Sequence, residues 1–135
     1  MQMKLTSRSE YALLALIYLS RRGEGGYVRV ETIADAQGIP AQFLEQILLS
    51  LKRARYVKST KGRRGGYALA KLPKEITLAE IIRLIDGALA PTVSVSHYFY
   101  EPTPIEKEKK LVALFREIRD CISDRLERTT IADVS

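Results

Sequence analysis

Apolar positions recur at three- and four-residue intervals in several stretches of this chain, as buried helix faces require. Tyr11, Leu14, Ala15, Tyr18 and Leu19 form the first such face. Ser7 and Glu10 ahead of it read as a capping box, Arg21 and Arg22 suit a helix C-terminus, and Gly23, Gly25 and Gly26 end the helix. A short strand-like run, Tyr27 to Val30, leads to a second helix from roughly Glu31 to Gln37, with Ile33, Ala34 and Ala36 as its apolar positions. Gly38, Ile39 and Pro40 make a tight connection. A third helix then runs from about Ala41 to Arg53, with Phe43, Leu44, Ile47, Leu48 and Leu51 facing inward. Two short helices joined by a Gly-containing turn form a helix-turn-helix pattern, although ordinary α-hairpins share it.

The next segment changes that picture. Arg55 to Thr60 and Gly66 to Lys71 both have strand character, and between them lies KGRRGG, Lys61 to Gly66. A hairpin after a helix-turn-helix is the wing of a winged helix. Its glycines let the backbone approach a groove, and Lys61, Arg63 and Arg64 bring charge to phosphates or a narrow minor groove. A hairpin tip made polar only for solubility has the same composition. Thr77 and Glu80 form a further capping box for a fourth helix reaching about Asp86, striped by Leu78, Ile81, Ile82 and Ile85 and stopped by Gly87. Residues 88–103 carry no helical period and are longer than most loops of compact domains. Thr103, Pro104 and Glu106 then announce a long last helix to about Arg128.

That last helix carries Leu111, Leu114, Phe115, Ile118, Ile122 and Leu126. The spacing through Leu111, Phe115, Ile118, Ile122 and Leu126 makes one seam. It either folds back on its own domain or pairs with a second copy. A two-fold dimer would place two third helices on a palindromic site. The fold class is mainly α (α+β): residues 1–74 a winged helix-turn-helix with a two-stranded wing, 75–103 the fourth helix and a linker or effector loop, 104–135 a long dimerisation helix and tail.

Charge supports a polyanionic partner. The 135 residues carry a net +6, but residues 1–74 hold 14 Lys and Arg against 5 Asp and Glu, and residues 75–135 hold 8 against 11. The front is therefore basic at +9 and the back mildly acidic at −3. One part suits phosphate and the other does something else.

Other functions lose ground on composition. No apolar run approaches the roughly 18 residues that cross a bilayer, and the N-terminal residues lack a signal peptide's apolar stretch, which points to the cytoplasm. There is no Ser-His-Asp set, and KGRRGG lacks the Lys-Ser/Thr ending of a P-loop, so no enzyme is expected. His97 and Cys121 are the sole His and Cys. They supply no multi-thiolate metal site, and no metal or cofactor is expected. Each fits an ordinary role, a polar loop residue and a packed helical side chain.

With those segments in place, the chain resembles the iron–sulfur cluster regulator (IscR-like) family of bacterial winged-helix transcription factors. The matching residues are MKLTSRSEYALLAL (Met3 to Leu16), IADAQGIPAQFLEQIL (Ile33 to Leu48), KGRRGGYALAK (Lys61 to Lys71), ITLAEIIRLIDG (Ile76 to Gly87) and RTTIADV (Arg128 to Val134). The resemblance implies a homodimer that binds double-stranded operator DNA, usually as a repressor. It puts Gln42, Phe43 and Glu45 where the recognition helix meets base edges. It puts Lys61 in the minor groove with Arg63 and Arg64 beside it, and makes Lys4, Arg8 and Tyr11 candidates for phosphate contacts. Glu45 also suits a capping or solvent role near a helix N-terminus, and Tyr11 suits the core. Cluster-binding members place three cysteines in the loop before the long helix. Ala88 to Thr103 contains none, so an iron–sulfur cluster of that kind is not expected. The loop's Tyr98, Phe99 and Tyr100 could line a pocket for a small effector, bind a partner protein, or plug the space beneath the fourth helix. The alternatives are a winged-helix protein-interaction module, or a redox or metal sensor using Cys121 or His97.

Overall fold

The computed structural model describes residues 4–23, 26–63 and 65–135. Met3, Gly25 and Arg64 lie outside them. Helix α1 (Ser7–Arg22) opens one residue earlier than the Ser7/Glu10 reading, because its N-cap is Thr6. Thr6 Oγ1 accepts the Ser9 amide at 3.2 Å, while its own amide and hydroxyl donate to the Asp86 carboxylate. A carboxylate 80 positions away thus closes the helix start, where the positive end of the macrodipole favours it.

Helices α2 (Val30–Gln37) and α3 (Ala41–Arg53) come next, separated by Gly38, Ile39 and Pro40. Gly38 takes the left-handed conformation at φ 66°, which a side chain would strain, and the Ile39 amide returns to Ala34 O. The Tyr27–Val30 run forms no strand of its own. Val28 alone pairs, exchanging two backbone hydrogen bonds with Tyr67, and Val30 already begins α2. Ala36, expected to be apolar-facing, is exposed, whereas Ile33 and Ala34 are buried.

Strands β1 (Val57–Thr60) and β2 (Gly66–Leu69) pair antiparallel, from Val57 opposite Leu69 to Thr60 opposite Gly66. Val28 flanks the free side of β2 and anchors the hairpin to the helical body. That anchoring requires glycine: a Cβ on Gly66 would stand 2.2 Å from Val28 O, and one on Gly65 would stand 2.6 Å from Thr60 O.

Helix α4 (Leu78–Asp86) has the Thr77/Glu80 capping box in full. Residues 88–103 contain one 3-10 turn, Val93–Val95. The next expectation fails. Pro104–Lys107 is a separate 3-10 turn, Glu108 is extended, and helix α5 runs Lys109–Arg128. Thr103 caps nothing: its hydroxyl is buried without a partner, and Glu106 accepts from the Tyr100 hydroxyl at 2.6 Å instead of from the Thr103 amide.

The main core joins Ala12, Ala15, Leu16 and Leu19 of α1 to Ile33 of α2 and Leu44, Ile47, Leu48 and Leu51 of α3. Ile76 and Ile81, around and within α4, belong to the same cluster, as does Ile131, fully buried at 0% exposure. The tail therefore returns to the helical body. The Ile131 amide donates to Ile76 O and the Leu78 amide to Thr129 O, so α5 is tied back to the start of α4.

Candidate nucleic-acid interface

Helix α3 divides sharply by face. Leu44, Ile47, Leu48 and Leu51 are buried, and the opposite face presents Gln42, Phe43, Glu45, Gln46 and Leu49. Phe43, assigned to the inward stripe by its spacing, is 56% exposed. It lies one position before Leu44, and 100° of helical rotation carries it away from the core. Gln46 and Leu49 were missed by the sequence reading. They sit four positions after Gln42 and Glu45 respectively on the outward face, and the complement of the buried set would have found them.

Strand β1 of the wing packs near α3. Lys61 and Arg63 are exposed at the hairpin, as are Lys4 and Arg8 at the start of α1. Arg64 lies outside the described residues. Further exposed cations, Arg29, Lys52, Arg53, Arg55 and Lys58, are spread over the front of the chain. Tyr11 is half-buried against the core, so its packing accounts for it. Backbone amides at a helix N-terminus and exposed cations are groups that suit phosphate, and exposed polar side chains suit base edges.

A polar cluster holds the helix-turn-helix to α4. The Tyr56 hydroxyl donates to Glu80 Oε1 at 3.0 Å, and Glu80 Oε2 accepts from the Thr77 amide at 2.8 Å and from its hydroxyl at 3.1 Å. Lys71 Nζ lies 4.5 Å over the Tyr56 ring. Burial and then the Glu80 hydrogen bond push the Tyr56 phenol up to about 12. Burial on its own would raise Glu80. The Thr77 amide, the Tyr56 and Thr77 hydroxyls and the Lys71 charge outweigh it and hold the carboxyl below its usual value.

The apolar residues of α5 do not form one seam. Val112 and half-buried Phe115 close a small cluster with Ala90, Val95 and Ile105, and Leu126 packs against Ala79, Ile82 and Leu89. Leu111, Leu114 and Ile122 are exposed at 38%, 49% and 37%, with Ile118 half-buried. The 88–103 segment thus packs partly beneath α4 through Leu89 and partly against α5 through Val95, while Tyr98, Phe99 and Tyr100 stay exposed. Arg83 lies over the Tyr98 ring at 4.7 Å.

Cys121 is exposed on α5, and His97 Nε2 lies 3.6 Å from Asp120 Oδ1, an oxygen that also accepts from Arg119 at 2.7 Å. Among the described residues, no group of three or more His, Cys, Asp and Glu side chains is placed to hold a metal ion. A donor set of one thiol and one imidazole does not fit an iron–sulfur cluster held by three loop thiolates. No helix of the described residues is long and apolar enough to cross a membrane.

The helix-turn-helix, the hairpin with its flanking third pairing, and the exposed cations define a winged-helix DNA-binding regulator. Residues 5–135 match the family described as Rrf2, iron-dependent transcriptional regulator, and the chain belongs to that family. A Mycobacterium tuberculosis protein that carries an HTH-type transcriptional regulator name is 38% identical over 98% of this chain and 81% of its own length. Two solved structures are similar. CymR of B. subtilis, titled the global cysteine regulator, superposes with a TM-score of 0.79 at 29% identity, covering 98% of this chain and 96% of that one. IscR of T. potens gives 0.75 at 27% identity, covering 97% and 85%. The chain is a DNA-binding transcriptional regulator and not an enzyme.

Proposed function

We propose that two copies of this chain pair along α5 and repress transcription by occupying a palindromic operator. Helix α3 enters the major groove and reads bases with Gln42, Phe43 and Glu45, the glutamate accepting from a cytosine amino group and the glutamine pairing with adenine. Lys61, Arg63 and Arg64 of the wing enter the minor groove, and Lys4 and Arg8 hold phosphates. No iron–sulfur cluster takes part. The signal instead reaches the 88–103 segment, a small molecule or a partner protein being received around Tyr98, Phe99 and Tyr100.

The observation that carries this reading is the division of α3 into a buried apolar face and an exposed, largely polar one, followed in the chain by a hairpin that exposes Lys61 and Arg63. Gel-shift titrations of genomic fragments at two salt concentrations test it. Affinity that falls steeply with salt, together with selection of fragments sharing an inverted repeat, is the expected result. Salt-insensitive association, or no fragment selected at low salt, would replace it with a protein-interaction module.

A further inference from the structure

Helix α4 has nine residues, and three of its side chains, spaced three positions apart, leave it for three different parts of the chain. Glu80 accepts from the Tyr56 hydroxyl, just past α3. Asp86 accepts from the amide and the hydroxyl of Thr6, the cap of α1. Arg83 stands between them. Carboxylates three positions to either side would ordinarily pair with such a cation along the helix. Both are engaged elsewhere. The guanidinium donates instead to Glu127 of α5 at 2.8 Å, and its carbon lies 4.7 Å from the centre of the Tyr98 ring. Only 18% of the Arg83 side chain is exposed, so these partners fix where it sits.

The 88–103 segment is held unequally along its length. Ala90 and Val95 are buried against Val112, and Arg119 Nη1 donates to Val95 O at 2.9 Å. The Phe99 amide donates to Ser96 Oγ at 3.0 Å, and Tyr98 lies in the turn which that bond closes. Tyr98 is 69% exposed, with Arg83 against its ring. The ring can therefore leave Arg83 without unseating Val95.

We propose that Arg83 is the positioning residue through which the 88–103 segment controls DNA binding. With the Tyr98 ring on the guanidinium, Arg83 holds α4 where Glu80 braces the residue past α3 and Asp86 braces the start of α1. A ligand or protein that draws the ring away frees one side of Arg83, and α4 shifts against its neighbours. A helix this short moves as one body, so a shift at Arg83 reaches Glu80 and Asp86 together. Signal and DNA then oppose each other, because each favours a different setting of α4. The inference rests on the operator reading above and supplies the control of that same surface. A cation over an exposed ring is worth a factor of about two to five in an equilibrium, which sets the size of the response.

Fluorescence anisotropy of the full chain on a genomic duplex that the wild type selects tests this, beside thermal melts of each variant. Tyr98→Ala changes no charge and is expected to weaken binding about two- to fivefold. Tyr98→Phe keeps the ring and binds as the wild type does. Arg83→Ala binds at least as weakly as Tyr98→Ala. Adding Tyr98→Ala to it costs nothing more, because the ring acts only through the guanidinium. Should Arg83→Ala fail to fold, the contrast between Tyr98→Ala and Tyr98→Phe decides alone. A merely structural role would lower the melting temperature of Tyr98→Ala and leave the affinity of the folded protein unchanged, and that result overturns the proposal. So does a Tyr98→Ala effect that persists in full beside Arg83→Ala, or a Tyr98→Phe variant as weak as Tyr98→Ala. A wild type that selects no duplex even at low salt overturns the operator reading itself, and the control with it.

Discussion

The Tyr56 hydroxyl donates to Glu80 Oε1 across 3.0 Å, linking the residue just after the recognition helix to the third position of α4. The same carboxylate completes the α4 capping box through its other oxygen. One side chain therefore starts a helix and fixes that helix to the segment that follows α3. Folding lowers the Glu80 pKa, so ionised Glu80 stabilises the fold above the unfolded carboxyl's value, and that contribution is lost as pH falls through the folded value. Thermal melts of Glu80→Gln are expected to show lower stability at neutral pH and a flatter dependence below about pH 5. Tyr56→Phe is expected to cost about 1–2 kcal/mol at neutral pH. Parallel acid limbs for wild type and Glu80→Gln would contradict the assignment.

The wing depends on a close backbone approach that leaves no room for a side chain. Gly66→Ala places a methyl against Val28 O, where the separation would be 2.2 Å. Either the hairpin moves off Val28 or the body opens, so a loss of about 1–3 kcal/mol is expected, with weakened DNA binding. Denaturant titration beside a gel shift checks both, and a variant indistinguishable from wild type in each would refute the close approach.

On the proposed reading Lys61 contributes charge rather than sequence preference. Lys61→Ala is expected to weaken binding to all duplexes alike and to reduce the slope of log affinity against log salt by about one unit for each phosphate that the ammonium neutralises. An unchanged slope removes Lys61 from the interface.

On the same reading Glu45 acts differently. Glu45→Ala is expected to relax preference at one base position per half-site, at about 1–3 kcal/mol for the favoured base, as read by binding to a panel of single-base variants. Uniform loss across the panel would assign it a structural role at the start of α3.

Absence of a cluster is expected to be visible by eye. Protein expressed with iron supplied and purified without oxygen should lack the visible absorption of iron–sulfur centres. A brown preparation with stoichiometric iron would mean that ligands come from beyond the loop of one chain.

Local pattern carried far in this chain. The bounds of α3, the Thr77/Glu80 box and the glycine-rich hairpin were legible because each is set by residues within a few positions of one another: helix periodicity, a cap and its N3 partner, a turn. The exposed face of α3 was legible for the same reason, as the complement of the buried stripe, although Gln46 and Leu49 were passed over and Phe43 was counted on both faces.

Where distant residues compete for the same group, pattern ran out. Thr6 rather than Ser7 caps α1 because Asp86 holds it. Glu106 leaves the start of the long helix because Tyr100 takes its carboxylate, so α5 begins at Lys109. The apparent single seam of α5 splits in two because Phe115 and Leu126 meet the 88–105 segment and α4, leaving Leu111, Leu114 and Ile122 uncovered. Sequence by itself determined the main helices, the hairpin and the basic front, since hydrogen bonding and hydrophobic period act locally along the chain. Tertiary structure alone decided which faces of α5 are spent within the chain and which remain for another, since burial depends on what stands opposite.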